Sequence, residues 1–415
     1  MDVKGIVPYK PDNSQTSFFL CGKAGKVDAV ELKCLLISRG VKVDNEIYRR
    51  FGKSFRINPN ALTCNSMKLP DGTNVQLTDV EFHLRHLRQA LSWDNLKLMR
   101  YVSQLTTPFR LKILEDKPSL FHDKDFVCHV SFHDKSDFYK QKTSSGLPFI
   151  GNAVLQGCDF VSFQCLWHCE YAAMGAPCQY CFSGADFEAR ARKEKPQPAA
   201  VAPSDVAEIV YYAVKNDNVN SVQITGGSTF SGEHEHRHII RYLRAIATCG
   251  IKLTGEILLY ITPPGNFAYI DEYFSLGANR IACSIEVWDI ERANVITPGK
   301  MQFTTRERHL NALTYIAEKF GKDKAFSNFI IGLESLETLK EGATWLAERG
   351  IIPSASVWIP MGRPVMGSMA APDIDYFRRV KNMLADLYLR YNLSPAGGCG
   401  LNVCIEKDIF RITKD

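Results

Sequence analysis

The densest group of chemically active side chains is a set of four cysteines in the segment 165–181. The set comprises Cys165, Cys169, Cys178 and Cys181. Thiolates are soft ligands that hold iron–sulfur clusters or zinc, and four independent core cysteines would rarely fall so close together. The spacing therefore predicts a metal centre, with eight residues between Cys169 and Cys178 and two between Cys178 and Cys181.

Two kinds of metal centre fit these cysteines. A structural zinc site would use all four thiolates, whereas an iron–sulfur cluster held by three would leave one iron open to another molecule. The second kind is favoured because the cysteines directly follow a predicted strand, and active sites of βα barrels lie in such loops. We take Cys169, Cys178 and Cys181 as the ligands, and Cys165, which ends an apolar strand, is the alternative first ligand.

The elements that must position this loop alternate along the chain. Strands are predicted at 160–165, 221–225, 256–262, 280–287, 325–332 and 354–360, and helices at 204–215, 236–248, 267–276, 305–320 and 336–349. Such alternation is typical of right-handed parallel βα units. Six strands are too few for a complete eightfold barrel. The predicted fold class is therefore α/β, with a partial (β/α)6 barrel of the TIM type.

Two extensions flank the barrel, which we bound at residues 156–365. Residues 1–155 predict an α+β domain that contains a β-hairpin around an Asp-Gly turn and a helix at 80–105. Residues 366–415 predict a helix at 374–391 and a short cap. The cysteines scattered through the N-terminal part are interpreted as buried apolar side chains; they are Cys21, Cys34, Cys64 and Cys128.

The cysteine loop resembles that of the radical S-adenosylmethionine (SAM) superfamily, because it follows the first strand and ends in Cys-x-aromatic-Cys. The turn at Gly226-Gly227-Ser228 and the strand end at Glu286 resemble the biotin-synthase-like and thiazole-synthesis-like branch. The commonest family loop has three residues between its first two cysteines, so this one is an expanded Cys-x8-Cys-x2-Cys loop. The resemblance covers about residues 160–364 and implies a [4Fe–4S] cluster with SAM beside it.

The resemblance also implies the residues that contact SAM. They are Tyr180, Gly226, Gly227, Ser228, Glu286, Lys300, Gly332 and Ile359. The glycine turn would present backbone groups to the SAM amino group, with a serine in place of the usual glutamate. Glu286 would contact the methionyl or ribose part, and Lys300, or alternatively Arg306, would pair with the carboxylate. The remaining residues would border the adenine, and Trp358 would close that pocket.

The implied function is reductive cleavage of SAM to a 5′-deoxyadenosyl radical that abstracts hydrogen from a small metabolite or cofactor precursor. The expected partners are that small molecule and a low-potential electron donor such as flavodoxin or ferredoxin. Candidates for a further catalytic role are Arg363, which could bind a carboxylate or phosphate, and Cys399 and Cys404, which could relay a radical. A radical SAM enzyme that modifies RNA or peptides, and a non-catalytic zinc-binding interaction protein, are the alternatives.

The composition restricts these alternatives. The net charge of +5 is small for 415 residues, and Lys and Arg are spread along the chain, which disfavours nucleic acid as the substrate. No apolar run reaches the length of a membrane helix, and the first residues lack the apolar core of a signal peptide. With 13 cysteines, an odd number, a reducing cytoplasm is the expected location.

Overall fold

A computed structural model of the chain describes residues 17–20, 22, 25–51, 66–77, 107–132, 136–156, 159–181, 190–193, 201–359, 369–394 and 403–413. The predicted helix at 80–105 lies outside these residues, as do Cys21, Cys64, Arg363 and Cys399. Among the described residues, every helix is too short or too polar to reach across a lipid bilayer.

In the residues that the structure describes, the N-terminal part combines small sheets with two helices. Its strands are β1 (Ser17–Leu20), β2 (Gly25–Asp28), β3 (Lys42–Val43), β4 (Ser66–Lys68), β5 (Asn74–Gln76), β6 (Phe109–Leu114), β7 (Lys117–His122), β8 (Asp125–His129) and β9 (Ser131–Phe132), and its helices are α1 (Ala29–Arg39) and α2 (Asn45–Phe51). A 3₁₀ turn, Phe138–Lys140, leads toward the barrel. The antiparallel pair β4–β5 confirms the predicted hairpin. Cys34 and Cys128 are buried, as predicted.

A seven-stranded sheet forms the second part. Its strands, in spatial order, are β10 (Ala153–Gln156), β11 (Phe160–Leu166), β12 (Ser221–Gly226), β13 (Ile257–Tyr260), β14 (Arg280–Ala282), β15 (Ala325–Ile331) and β16 (Ile352–Val357). The last six are parallel neighbours in chain order, whereas β10 is an antiparallel edge strand that the sequence did not predict. This curled sheet is consistent with a partial TIM-like barrel.

Helices connect the parallel strands. They are α3 (Glu170–Ala173), α4 (Pro203–Asn216), α5 (Glu233–Thr248), α6 (Ala268–Ser275), α7 (Ile290–Ile296), α8 (Arg306–Phe320) and α9 (Leu336–Ala347), with a π-helical turn at Lys300–Thr304. The five predicted helices and six predicted strands are all present, with shifted ends. The fourth strand ends earlier than predicted. Beyond this end, an isolated bridge joins Glu286 to Phe329 of β15. The φ of Glu286 is 72°, which interrupts the extended backbone.

The two faces of the sheet differ in chemistry because strand side chains alternate between faces. One face is apolar and packs on the helices: the Phe163 ring, for example, lies 6.3 Å from the Tyr242 ring of α5. The other face is concave, since the rings of Tyr260 on β13 and Phe326 on β15 meet at 5.2 Å across the intervening strand. The strand register places many polar side chains on this concave face.

The C-terminal part continues the sheet and binds the N-terminal part. It contains α10 (Ile374–Arg390), which confirms the predicted helix, and α11 (Glu406–Thr413). The residues before α11 pair antiparallel with the free edge of β16, through a bridge between Ser356 and Cys404. One buried apolar cluster includes residues of β1, the barrel strands and α10. The predicted boundaries at 155 and 365 stay a prediction.

Candidate functional site

The cysteine loop lies directly after β11, at the carboxyl edge of the parallel strands. Cys169 is the residue that precedes α3, and the Cys181 amide donates to the Cys178 carbonyl oxygen at 3.2 Å. These three cysteines are partly exposed, whereas Cys165 and Cys283 are buried. A metal centre that must meet another molecule needs accessible ligands, and the three predicted ligands have that exposure.

Cys165 lies on the opposite side of the sheet from the concave face. The strand register breaks between Gln164 and Leu166, but the Cys165 thiol lies within electrostatic range of Tyr242 and Glu235 of α5, which places it on the helix-facing side, and it is 3% exposed. Burial is the main cause that raises the pKa of its thiol, and the nearby Glu235 on α5 raises it further. This environment is that of a structural thiol, and it favours Cys169 over Cys165 as the first ligand.

The Gly226-Gly227 turn supports the start of the cysteine loop. A Cβ atom at Gly227 would lie 1.9 Å from the carbonyl oxygen of His168, and the Gly227 amide donates to the Leu166 carbonyl oxygen at 3.1 Å. The Ser228 carbonyl oxygen accepts from the Glu170 amide at 2.8 Å. Close backbone approach is what requires glycine here, so the turn that is predicted to face SAM also packs against the loop.

The segment after α7 supports the other end of the loop. The Gln179 amide donates to the Ile296 carbonyl oxygen at 2.8 Å, and the Gly299 amide donates to the Ala176 carbonyl oxygen at 3.1 Å. A Cβ at Gly299 would lie 2.5 Å from that oxygen and from the Cβ of Tyr171. The cysteine loop is therefore held on both sides by backbone hydrogen bonds. Gly227 and Gly299 leave no room for a side chain at these contacts.

A line of hydrogen bonds crosses the ends of β14, β15 and β16. The Lys300 ammonium lies 3.2 Å from Glu286 Oε1 and donates to the Ser284 carbonyl oxygen at 2.6 Å. Asn328 Nδ2 donates to Glu286 Oε2 at 3.1 Å. The Ser356 hydroxyl in turn donates to Asn328 Oδ1 at 2.9 Å. We call these four side chains, Lys300, Glu286, Asn328 and Ser356, the polar line.

The polar line lies within electrostatic range of the cysteine loop. Burial raises the pKa of the Cys178 thiol to about 12, and the positive charge of Lys300 opposes this rise. The other two thiols of the loop, Cys181 and Cys169, add to it, as does Glu286. The structure therefore brings together the three predicted ligands and the two charged residues predicted to contact SAM.

A small apolar cluster adjoins the polar line. Trp358 and Val287 form part of its buried centre, and Tyr180 and Ile330 pack against it. Burial is the main cause that raises the pKa of the Tyr180 hydroxyl well above its ordinary value. Tyr180 and Trp358, both predicted to border the adenine, thus meet in one cluster. The Ile359 side chain belongs instead to the main core.

The turn after β15 borders a separate cavity. Gly332 has a φ of 106°, which favours glycine. Its backbone N–H already donates a hydrogen bond to the Tyr376 hydroxyl at 3.2 Å. A cavity of about 630 Å³ lies beside it and is also lined by Arg292, Met369 and Pro372. Among the described residues no cysteine lines this cavity, and Met369 also packs on the small apolar cluster that includes Tyr180.

Two further candidates have defined positions. The Arg306 guanidinium stacks on the Trp288 ring at 3.8 Å and donates to the Trp288 carbonyl oxygen at 2.6 Å. This places Lys300, rather than Arg306, in the polar line. Cys404 is buried, and its thiol lies 3.1 Å from the Ser356 hydroxyl at the far end of that line.

Sequence reasoning missed Asn328 and Ser356. Both lie in strands that were predicted correctly, and both are polar residues inside apolar runs. That contrast was a signal that could have found them, since a buried polar side chain needs a hydrogen-bond partner. Sequence reasoning also missed His309, a buried residue whose Nε2 lies 3.2 Å from the Thr304 hydroxyl. Burial lowers the pKa of the His309 imidazole to about 3.

The donor set fits an iron–sulfur cluster at the cysteine loop. Three partly exposed cysteines share one short loop, and the positive charge of Lys300 opposes the rise that burial causes in the pKa of Cys178. In the part of the chain that the structure describes, no three His, Cys, Asp or Glu side chains converge as ligands of one ion. Cluster ligands bind different irons, so they do not have to converge on one point.

Comparisons with known proteins bear on this interpretation. No family model matches the chain. The chain is 24% identical over 263 residues to the bacteriochlorophyllide c C-7(1)-hydroxylase of Chlorobaculum limnaeum. The alignment covers 60% of this chain and spans 65% of the length of that hydroxylase. This distant homology to an enzyme supports placing the chain in the radical SAM superfamily.

Proposed function

We propose that the chain is a radical SAM enzyme whose [4Fe–4S] cluster is bound by Cys169, Cys178 and Cys181. The observation that carries the proposal is the meeting of the partly exposed cysteine loop with the Lys300–Glu286 ion pair at one edge of the barrel. When bound there, the cluster and SAM would supply a 5′-deoxyadenosyl radical that abstracts hydrogen from a substrate.

The residues of the chain would orient SAM. Lys300 has three N–H donors and uses two, on Ser284 and Glu286, so one remains for the SAM carboxylate. Glu286 would accept from the ribose or the amino group while Asn328 and Lys300 hold its two oxygens. The apolar cluster around Tyr180 and Trp358 would receive the adenine. Water would be excluded from that side by these aromatic side chains.

A small-molecule substrate is favoured over RNA or a peptide. The distant relative is, by its name, a hydroxylase of bacteriochlorophyllide c, which is a small molecule. The concave face of the half-barrel is lined by neutral polar side chains such as Gln164 and Thr225, whereas an RNA site would present many Lys and Arg side chains. The expected reaction begins with abstraction of hydrogen from a carbon of that substrate, with flavodoxin or ferredoxin as electron donor.

Cleavage of SAM tests the proposal. The chain would be reconstituted with iron and sulfide without oxygen, reduced with dithionite and incubated with SAM, and 5′-deoxyadenosine would be measured by mass spectrometry. We expect 5′-deoxyadenosine from the wild type and none from Cys169→Ala, Cys178→Ala or Cys181→Ala. Cys165→Ala is the matched control and should retain four irons per chain and the activity.

The zinc-protein alternative predicts the opposite pattern. A colourless protein that binds one zinc per chain, and loses it on Cys165→Ala as well as on Cys169→Ala, would refute the proposal. The position of Cys165 on the helix-facing side of β11 is the observation that disfavours such a four-thiolate site.

A further inference from the structure

Two glutamines on the concave face have side-chain oxygens with no hydrogen-bond partner in the described part of the chain. They are Gln164 on β11 and Gln223 on β12. The register pairs Gln223 with Ser162 and Gln164 with Thr225, so the two glutamines are diagonal neighbours on the same face. Gln223 is 4% exposed, and the amide oxygens of both residues are buried.

A buried amide oxygen without a partner is unfavourable. Native proteins pair nearly all buried polar groups, because each unpaired one keeps the full cost of removal from water. The other face of β12 shows what packing alone selects: Val222 and Ile224, which alternate with Gln223, are fully buried apolar residues. Two unpaired amide oxygens on adjacent strands therefore indicate that another molecule supplies their hydrogen-bond donors.

The surroundings define where that molecule would lie. Thr225 and Tyr260 share the concave face with the glutamines and are partly exposed. Gln164 precedes Cys169 by five residues, at the base of the cysteine loop. Arg280, two strands away in the register row of Gln223, pairs with Glu256 at 3.1 Å through Nη2, whereas its Nε and Nη1 have no partner among the described residues. Amide oxygens accept hydrogen bonds and carry no net charge.

We infer that Gln164 and Gln223 form the substrate subsite, which binds a group bearing N–H or O–H donors, such as an amide, a lactam or an alcohol. The inference rests on the proposed function, since it treats the concave face as the substrate chamber. It assigns to these residues the recognition of the substrate and leaves SAM to the polar line. A substrate that carried only a carboxylate or a phosphate would gain no hydrogen bond from these oxygens.

A matched pair of probes tests the subsite without cluster, SAM or turnover. The probes are 2-pyrrolidinone, which has an N–H donor, and N-methyl-2-pyrrolidinone, in which a methyl group replaces that hydrogen. Ligand-observed NMR titrations of the full chain would measure both dissociation constants. We expect 2-pyrrolidinone to bind more tightly, by about fivefold for one hydrogen bond, and this preference to vanish in Gln223→Leu and in Gln164→Leu.

Unfolding temperature gives a second readout. Gln223→Leu replaces an amide whose buried oxygen is unpaired by an apolar group of similar size. The midpoint of its thermal unfolding should therefore lie about 2–4 °C above that of the wild type. Gln141→Leu, whose amide donates to the exposed Asp137 carbonyl oxygen, is the control and should change neither readout. If Gln223→Leu fails to fold, Gln164→Leu carries the same test.

Several results would overturn the inference. Equal binding of the two probes to the wild type, equal binding of 2-pyrrolidinone to the leucine variants, or ordered water as the sole partner of both amides in probe-soaked crystals would each do so. None of these outcomes affects SAM cleavage. Conversely, a chain that fails to make 5′-deoxyadenosine but discriminates the two probes would refute the proposed function and keep the subsite.

Discussion

At the scale of single residues, Asn328 connects the charged part of the candidate site to the sheet. Its amide donates to Glu286 and accepts from Ser356, so it uses both ends of one side chain in the polar line. A neutral amide can do this because it carries a donor and an acceptor in fixed positions. In the proposed function, Asn328 is therefore a positioning residue, which would act on SAM through Glu286.

Asn328→Leu should weaken the binding of SAM. Without the amide donor, Glu286 Oε2 loses its partner and the carboxylate is no longer fixed toward Lys300, which should raise the dissociation constant by about fivefold. Isothermal titration calorimetry of SAM into the reconstituted protein measures this change. Asn382→Leu, on the exposed side of α10, is the control. A loss of thermal stability with an unchanged dissociation constant would show that Asn328 is merely structural.

The residue types of the site were readable from the sequence, but their contacts were not. Cys169, Cys178 and Cys181 could be proposed from spacing, because ligands of one centre cluster along the chain. Asn328 lies on β15 and Glu286 lies beyond the end of β14, and the isolated bridge from Glu286 to Phe329 brings the Glu286 and Asn328 side chains to 3.1 Å. The side of β11 that Cys165 faces likewise depends on the local register of that strand, which is irregular between Gln164 and Leu166.

At the scale of elements, the turns between strands and helices hold the cysteine loop. Beyond the early end of β14, Glu286 has a positive φ, and its carboxylate lies 3.2 Å from the Lys300 ammonium. Sequence pattern predicted the parallel strands because their apolar runs are continuous. It missed α7 and the Lys300–Thr304 turn, which are too short to show a period.

Gly227→Ala should disrupt the cysteine loop. The added methyl group would collide with the His168 carbonyl oxygen, a backbone atom that cannot move without shifting Cys169. We expect the reconstituted variant to lose most of its iron, measured per chain by a colorimetric assay. Gly265→Ala is the control, because a Cβ there meets no atom within 4 Å. Equal iron content in both variants would contradict the packing role of this turn.

Glu235, in the first turn of α5, makes the stability of the fold depend on pH. Burial raises its pKa from 4.5 to about 8, so the folded chain holds a proton there that the unfolded chain releases near 4.5. The stabilisation is complete below pH 4.5 and is lost as the pH rises to about 8. Relative to Glu235→Gln, the free energy of unfolding of the wild type should therefore fall by up to about 1.4 kcal/mol per pH unit in this window.

Urea unfolding from pH 5 to 8 measures this dependence. Glu233→Gln, an exposed glutamate in the same helical turn, is the matched control and should keep the slope of the wild type. A wild type and a Glu235→Gln variant with parallel pH profiles would mean that Glu235 is ionised in the folded chain.

At the scale of the whole molecule, helix α1 of the N-terminal part contacts the C-terminal segment beside the barrel. Lys33, on α1, is 2% exposed and donates to the Cys404 carbonyl oxygen at 2.6 Å and to Asp408 at 2.7 Å. It thereby holds the segment that pairs with the edge of β16. No pattern in the sequence could predict this contact, because its partners are separated by 371 residues or more.

Lys33→Ala should release the C-terminal segment. Removing one partner of a buried ion pair leaves Asp408 uncompensated, and the expected loss in free energy of unfolding is about 3 kcal/mol. Hydrogen exchange of the Val357 and Ile405 amides, which bond across the β16 edge, should increase as well. Arg390→Ala removes an exposed ion pair with Asp386 and should cost at most about 0.5 kcal/mol. Unchanged exchange at these amides would contradict the account.

The central claim is that three cysteines leave one iron of a cluster free to bind SAM. Mössbauer spectroscopy of protein reconstituted with iron-57, recorded with and without SAM, observes that iron directly. We predict four irons per chain, of which one changes its spectrum when SAM is added and three do not. A spectrum that SAM leaves unaltered, or a centre in which Cys165 completes a fourth thiolate bond, would contradict the account.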